Sequence, residues 1–304
     1  MLKIITWNIQ SARTRDGGAD WGLVVEALHG FADFDVLCLQ EVSSGFPARD
    51  GSDGGDGFAA LAARLPGYQA AAALALDVSP DPRGPDPRGL DGERRRLGCM
   101  SFSRLPVRQV LRHSLPWPAD PAVPGMPRTV LELALETPLG LLRVLNAHLE
   151  YFSEAQRLAQ VGRLRELQQE ACAHAAKPRP GLDANGPFAA IPRPAEAVLA
   201  GDFNMLPGST AHARLLAPFD DGTPAWRDAW ALARPHAHSH QQSHPQSHPQ
   251  STPHAPTVGL HGKDTPCTFD YAFVSAGLAG RVRGMRVDGG ARGSDHQAVL
   301  LELG

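Results

Sequence analysis

Apolar, strand-like runs that end on polar residues recur along this chain, and no other feature constrains its fold as much. Leu2-Lys3-Ile4-Ile5-Thr6-Trp7 ends on Asn8, and Asp35-Val36-Leu37-Cys38-Leu39-Gln40 ends on Glu41. Ala197-Val198-Leu199-Ala200-Gly201 delivers Asp202 and, two residues later, Asn204. A fourth run, Leu142 to Leu149, carries His148 near its end, and Gly293-Ser294-Asp295-His296 leads straight into a fifth, ending at Leu303. Short apolar runs bounded by turn residues read as core strands. One Asp, Asn or His after a strand is ordinarily a turn former, a helix cap or a satisfied structural group. Five such placements point to a shared site, because these residue types hold hard cations and move protons.

The coarse order is strand, helix, strand, helix, a run of strands, a long helix, then strands again. The long helix is predicted to begin near Ser153, where Ser153 and Gln156 have capping-box spacing and Leu158, Val161, Leu164 and Leu167 repeat at helical intervals. Residues 129 to 136 and 139 to 149 read as consecutive strands. The pattern implies two sheets packed face to face with helices outside.

As a set, and in chain order, the blocks Ile5-Thr6-Trp7-Asn8, Leu39-Gln40-Glu41, Gly98-Cys99-Met100-Ser101-Phe102-Ser103-Arg104, Asn146-Ala147-His148-Leu149, Gly201-Asp202-Phe203-Asn204, Phe269-Asp270-Tyr271-Ala272-Phe273-Val274-Ser275 and Ser294-Asp295-His296 resemble the endonuclease/exonuclease/phosphatase superfamily of metal-dependent phosphoesterases. The resemblance, which spans nearly the whole chain, implies an α/β fold, a four-layered α/β sandwich of two mixed β-sheets with helices outside. By resemblance, Glu41 is the main metal ligand, with Asn8 and Asp295 completing or supporting the site. Oxygen ligands of this kind suit Mg²⁺, with Mn²⁺ able to substitute. Asp202 is then the group that orients or deprotonates the attacking water, and Asn204 bonds the water and a phosphate oxygen. In an extended segment, residues two apart point the same way. His148 and His296 are assigned to the phosphate oxygens, and Asp270 to holding His296. The chain departs from the family pattern at Thr268, where many members place an arginine.

The length of 304 residues would allow two domains, but the first and last motifs must share one site. One domain over 1–304 is therefore expected, with flexible insertions near 77–96 and 236–261. The first is rich in Pro, Gly, Asp and Arg, and the second repeats Ser-His-Pro-Gln; neither composition buries much apolar surface. No leader-like or membrane-length apolar run is visible, so a cytoplasmic protein is expected, and a monomer. Cys38, Cys99, Cys172 and Cys267 lack metal-ligand spacing and read as free thiols. Trp226 and Trp230 have the spacing of a helical turn packed on the core, and Arg281 and Arg283 would share a strand face.

The leading expectation is a phosphodiesterase or nuclease with an Asp-activated water, acting on a phosphate-ester substrate such as DNA or RNA. The net charge of -3 provides no global basic footprint. A phosphatase or phospholipase of the same fold, acting on small-molecule, inositol or lipid phosphates, is the alternative, and a non-catalytic metal-binding protein built on the histidine tract is a third.

Overall fold

A computed structural model describes residues 1–14, 16–47, 54–79, 94–233, 254–261 and 265–304. Alternation along the strands sorts their apolar side chains into three cores. In β1 (Leu2–Asn8), Leu2 and Ile4 point to one side, Ile5 and Trp7 to the other, and both sets are buried. β2 (Val36–Ser44) repeats this with Val36 and Cys38 against Leu37 and Leu39. With both faces covered, the strands read as continuous apolar runs.

The first sheet also contains β3 (Gln69–Val78), β4 (Arg95–Ser103), β11 (Val282–Val287) and β12 (Val299–Leu303), in the order β11-β12-β1-β2-β4-β3. The second comprises β5 (Val107–Ser114), β6 (Thr129–Thr137), β7 (Gly140–His148), β8 (Ala197–Asp202), β9 (Trp226–Asp228) and β10 (Asp270–Ser275), in the order β5-β6-β7-β8-β10-β9. Both sheets are mixed: β1 and β2 are parallel, as are β7 and β8, while β1 and β12 are antiparallel.

The central core lies between the sheets, where Ile4, Val36 and Leu301 of the first meet Leu133, Val144 and Val198 of the second. A second core packs α1 (Trp21–Phe31) and α2 (Gly57–Arg64) on the first sheet through Val24, Leu28 and Leu61. A third packs α3 (Glu154–Ala176) and α4 (Thr210–Leu216) on the second through Val161, Leu164 and Leu215. The layer order is thus helix, sheet, sheet, helix, the expected sandwich. Ser153 caps α3 as its spacing predicts, its side chain accepting from Gln156 N–H at 3.2 Å. Gln156 does not complete the box; its amide donates to the Pro118 carbonyl instead.

Several local expectations change. Trp226 opens β9 and Trp230 lies in the short α5 (Ala229–Leu232), so the pair is not on one helix. Arg281 ends a 3-10 turn and only Arg283 lies in β11, which removes their common strand face. The described ends of the two segments expected as insertions take part in the fold. Asp77 pairs with Arg96 and Val78 with Arg95 as ladder residues, and residues 80–93 lie outside the described residues. Residues 234–253 also lie outside them, whereas Thr257 is fully buried and Val258 bridges to Cys267 and His296. Backbone pairing and one buried hydroxyl, invisible to composition, order these flanks. Cys38, Cys99 and Cys172 are free thiols, and burial pushes those of Cys38 and Cys99 up to about 12.

Candidate active site

Strand register brings the polar termini together. Asn8 lies opposite Gln40 in the β1–β2 pair, so Asn8 and Glu41 leave the first sheet side by side. His148 lies opposite Asp202 in β7–β8, and Asp202 opposite Asp270 in β8–β10, which aligns three groups at the end of the second sheet. His296 joins them from the first sheet, three residues before the β12 ladder. Its loop is tied to β1: Ser294 Oγ donates to Asn8 O at 2.7 Å, and the Trp7 indole N–H donates to His296 O at 3.0 Å.

Two of these residues have backbones in the left-handed region. Glu41 has φ +56°, within a register shift of the β2–β4 ladder between Leu39 and Val42, and Asn204 has φ +48°. A bulge of this kind re-aims a side chain, and such strain persists only where surrounding structure imposes it. Asn204 is therefore not in an extended segment, and the strand-alternation reason for its facing the same way as Asp202 does not hold. Its backbone N–H instead donates to Asp202 Oδ1 at 3.0 Å, and its amide donates to Leu149 O at 3.0 Å.

Asp202 sits at the centre, 1% exposed. Its Oδ2 accepts from Asn8 Nδ2 at 2.9 Å and lies 3.5 Å from His148 Nε2 and 3.7 Å from His296 Nε2. The same Asn8 amide donates to Glu41 Oε1 at 3.0 Å, so one side chain bridges two carboxylates across the gap between sheets. His296 Nδ1 lies 2.9 Å from Asp270 Oδ2, which also accepts from Thr257 Oγ1 at 2.6 Å. Among the described residues, His296 Nε2 has no hydrogen-bond partner, which leaves it directed at whatever occupies the gap.

Burial pushes the Asp202 carboxyl above its usual range; the imidazolium of His296 pulls it back and Asp270 adds to the rise. Burial acts against the charged form of His296, but Asp270 and Asp202 outweigh it and raise its pKa. His148 is lowered well below the usual histidine range by burial, the Arg128 guanidinium and His296. The centre therefore pairs a cationic His296 with a neutral His148.

Arg128 was not among the sequence-selected residues. Its Nη1 donates to His148 Nε2 at 2.9 Å, and its Nε donates to the fully buried Glu150 at 3.2 Å. Since arginine cannot accept, the Nε2 lone pair of His148 is occupied and its proton lies on Nδ1. In this arrangement His148 Nε2 faces the Arg128 guanidinium, which brings a positive charge beside the imidazole. The sequence signal was a lone arginine opening an apolar strand, which is common. Below the site, Gln40 Nε2 donates to Asn146 Oδ1 at 2.7 Å, and Asn146 Nδ2 reaches Leu39 O, Met100 O and Ser101 Oγ. This buried network joins the sheets; its signal was two amides inside apolar runs.

Arg128→Ala would leave Glu150 buried without its cation. A loss of ~3 to 5 kcal/mol in unfolding free energy is expected by chemical denaturation, and a loss under ~1 kcal/mol would show that the pair holds little together.

The donor chemistry fits a hard cation. Glu41, Asp202, Asp270 and Asp295 converge on the gap, and among the described residues no lysine or arginine pairs with Glu41. Glu41 and Asp295, with side chains 30% and 55% exposed, are reachable from solvent, unlike Asp202. Asp202, Asp270 and His296 also have ligand atoms within 4.8 Å of one another, but their hydrogen bonds form a proton-holding chain. Asn8 Oδ1 accepts Gln10 N–H at 3.1 Å, and Asp295 Oδ2 accepts from Gln10 Nε2 at 2.9 Å.

The profile of the Endonuclease/Exonuclease/phosphatase family matches residues 5–296. No curated protein matches the chain. Among solved structures, an endonuclease/exonuclease/phosphatase from Beutenbergia cavernae is 21% identical with a TM-score of 0.61, over 100% of this chain and 72% of that one. The mannosyl-6-phosphatase of Bacteroides thetaiotaomicron is 16% identical with a TM-score of 0.61, over 100% of both chains. TDP2 of D. rerio, complexed with single-strand DNA product, is 18% identical with a TM-score of 0.54, over 100% of this chain and 98% of that one. At these identities the likeness is one of fold.

Proposed function

The chain belongs to the endonuclease/exonuclease/phosphatase family, and from that premise we propose that it is a Mg²⁺-dependent phosphodiesterase acting on nucleic acid. The observation that carries hydrolysis is the buried Asp202 Oδ2, within 3.7 Å of Asn8, His148 and His296 and beside Glu41. Asp202 Oδ2 accepts the proton of a water that attacks phosphorus; Oδ1 is held by Asn204 N–H, which fixes the carboxylate's direction. His296 Nε2–H donates to a phosphate oxygen that gains charge, with Asp270 fixing the ring through Nδ1. The guanidinium of Arg128 adds positive charge beside His148. Glu41, Asn8 and Asp295 would hold the ion, which, when bound, supplies Lewis-acid neutralisation of phosphate charge.

The diester reading rests on two clefts flanking this centre. One, beside Asn204, is lined by Tyr151, Phe152, Leu206 and Phe269, with Tyr151 and Phe152 52% and 54% exposed. The other, beside Asp295, is lined by Arg13 and Arg292. Aromatic faces on one side and guanidinium groups on the other suit a base and a flanking phosphate. A small monoester would use neither cleft fully, which ranks the phosphatase reading second.

The test compares oligonucleotides, bis-p-nitrophenyl phosphate and p-nitrophenyl phosphate with Mg²⁺, for the parent and a Tyr151→Ala/Phe152→Ala variant. Stacking is worth ~1 to 3 kcal/mol per base, so the variant's KM on oligonucleotides is expected to rise at least ~10-fold, with bis-p-nitrophenyl phosphate turnover unchanged. A preference for the monoester, or an unchanged oligonucleotide KM, refutes the nucleic-acid reading.

The pH profile follows from the same groups. Asp202 must be deprotonated, and its pKa is raised, so the acid limb should lie above the usual carboxylate range. His296 must be protonated, and its pKa is also raised, so activity should persist into alkaline pH before falling. In Asp270→Asn the alkaline limb is expected to move to lower pH; a limb that stays in place would remove Asp270 from the role of holding the imidazolium.

A further inference from the structure

A second cluster of ligand-type groups lies on the outer face of the second sheet, apart from the catalytic centre. His212 of α4, Asp228 at the end of β9, and His254 converge there. His212 Nε2 and His254 Nε2 lie 3.0 Å and 2.5 Å from the same oxygen, Asp228 Oδ2, and all three ligand atoms fall within 4.8 Å of one another. The imidazole planes are nearly perpendicular, at 86°, so their nitrogens approach the carboxylate from different directions. Asp228 pairs with Phe273, three residues along β10 from Asp270, which separates the cluster from the catalytic acids by about 10 Å.

We propose that His212, Asp228 and His254 form a binding site for a transition-metal dication, Zn²⁺ foremost. Two imidazole nitrogens with one carboxylate oxygen are the donor set that zinc accepts in tetrahedral sites, and Mg²⁺, which favours oxygen, disfavours it. The catalytic centre, rich in oxygen donors, has the opposite preference. Asp228 Oδ1 accepts Trp230 N–H at 2.9 Å, which orients the carboxylate and leaves Oδ2 for the ion. His212 and Asp228 are 8% and 5% exposed, so the ligands are held by packing, and His254 forms the more open side.

Without metal, His212 Nδ1 accepts the Gly208 N–H at 3.3 Å, which places the ring proton on Nε2, bonded to Asp228. Coordination through Nε2 moves that proton to Nδ1, exchanges the Nε2–H bond to Asp228 for the bond to the ion, and requires the Gly208 N–H, which donates to Nδ1 at 3.3 Å, to turn away. The imidazole stays neutral and its proton count is unchanged. Three ligands leave one tetrahedral position for water or a further donor.

The site would also tie together distant parts of the chain. Asp228 and His254 are 26 residues apart, and a clip that closes a stretch of this length removes conformational freedom from the unfolded chain. The sequence between them contains His236, His238, His240, His244 and His248, which could chelate metal on their own and must be separated from the site in any test.

The test uses a full-length variant with those five histidines changed to serine. It is loaded with zinc sulfate and dialysed against excess Mg²⁺, and retained zinc is measured by mass spectrometry. One zinc per chain is expected to remain, with a zinc-dependent rise in unfolding temperature. Adding His254→Gln, a substitution at the most open ligand, should reduce retained zinc to background with the far-ultraviolet circular dichroism unchanged. His212→Gln should do the same. With Co²⁺ in place of zinc, the tetrahedral visible absorption should appear in the five-serine variant and vanish with His254→Gln. No retained zinc in the five-serine variant, or equal retention after both His212→Gln and His254→Gln, overturns the proposal.

Discussion

Asp202→Asn is expected to lower phosphodiester turnover about 1,000-fold, the middle of the range for losing a positioned general base. The substitution keeps the shape of a side chain that is 1% exposed, and it removes the carboxylate oxygen that faces Asn8, His148 and His296 together. Since burial works against the charge of this carboxylate, its removal should leave the unfolding midpoint close to that of the parent. Rate and stability therefore separate: turnover collapses while the fold persists. Turnover within ~10-fold of the parent would place the base elsewhere, at a cost of no more than ~1.4 kcal/mol in the barrier.

Gly201→Ala should have the largest effect on stability. Gly201 lies opposite Ala147 in the parallel β7–β8 pair, with φ +147°. A Cβ there would fall 1.9 Å from the Ala147 carbonyl oxygen, a backbone atom that cannot rotate away. The strands would have to separate immediately before His148 and Asp202. A loss above ~4 kcal/mol is expected, in the range kept for severe core damage and a large share of the ~5 to 15 kcal/mol that holds a typical domain folded. Gly208→Ala is the control: its φ is +77° but nothing lies within 4 Å of the added carbon, so the cost should be ~1 to 3 kcal/mol of backbone strain. Denaturant titration of both variants checks the difference, and similar losses would show that strain, not the Ala147 contact, dominates.

Much of this architecture was legible in the sequence because strands buried on both faces announce themselves as apolar runs. β1, β2, β7, β8 and β12 all appear that way, and Ser153 marks the start of α3. The short β9 and α5 were not legible: three and four residues hold too little periodicity, and Trp226 and Trp230 are as compatible with one helix as with a strand and a helix. The candidate residues could be chosen by type and by placement at strand ends, but their partners could not. That Arg128 occupies His148 Nε2 depends on β6 and β7 being neighbours, and no local pattern encodes it. Thr257 was hidden differently. It lies in a segment whose composition suggested a loose insertion, yet its hydroxyl donates to Asp270 and accepts from the backbone N–H groups of Phe269 and Asp270. Composition reports how much surface a segment can bury on average and misses one hydroxyl in the right place. The left-handed backbones of Glu41 and Asn204 were equally invisible, because tertiary packing imposes them against local preference.

The measurement that tests the central claim most directly is the initial rate of hydrolysis of a single-stranded oligonucleotide by protein stripped with a chelator, before and after Mg²⁺ is restored, with Glu41→Gln alongside. The expected result is negligible cleavage by the stripped protein, full recovery with Mg²⁺, and a Glu41→Gln variant that needs far more Mg²⁺ to reach a lower rate. Cleavage that survives metal removal, or a Mg²⁺ response unchanged by Glu41→Gln, would contradict the assignment of this centre as a metal-dependent phosphodiesterase site.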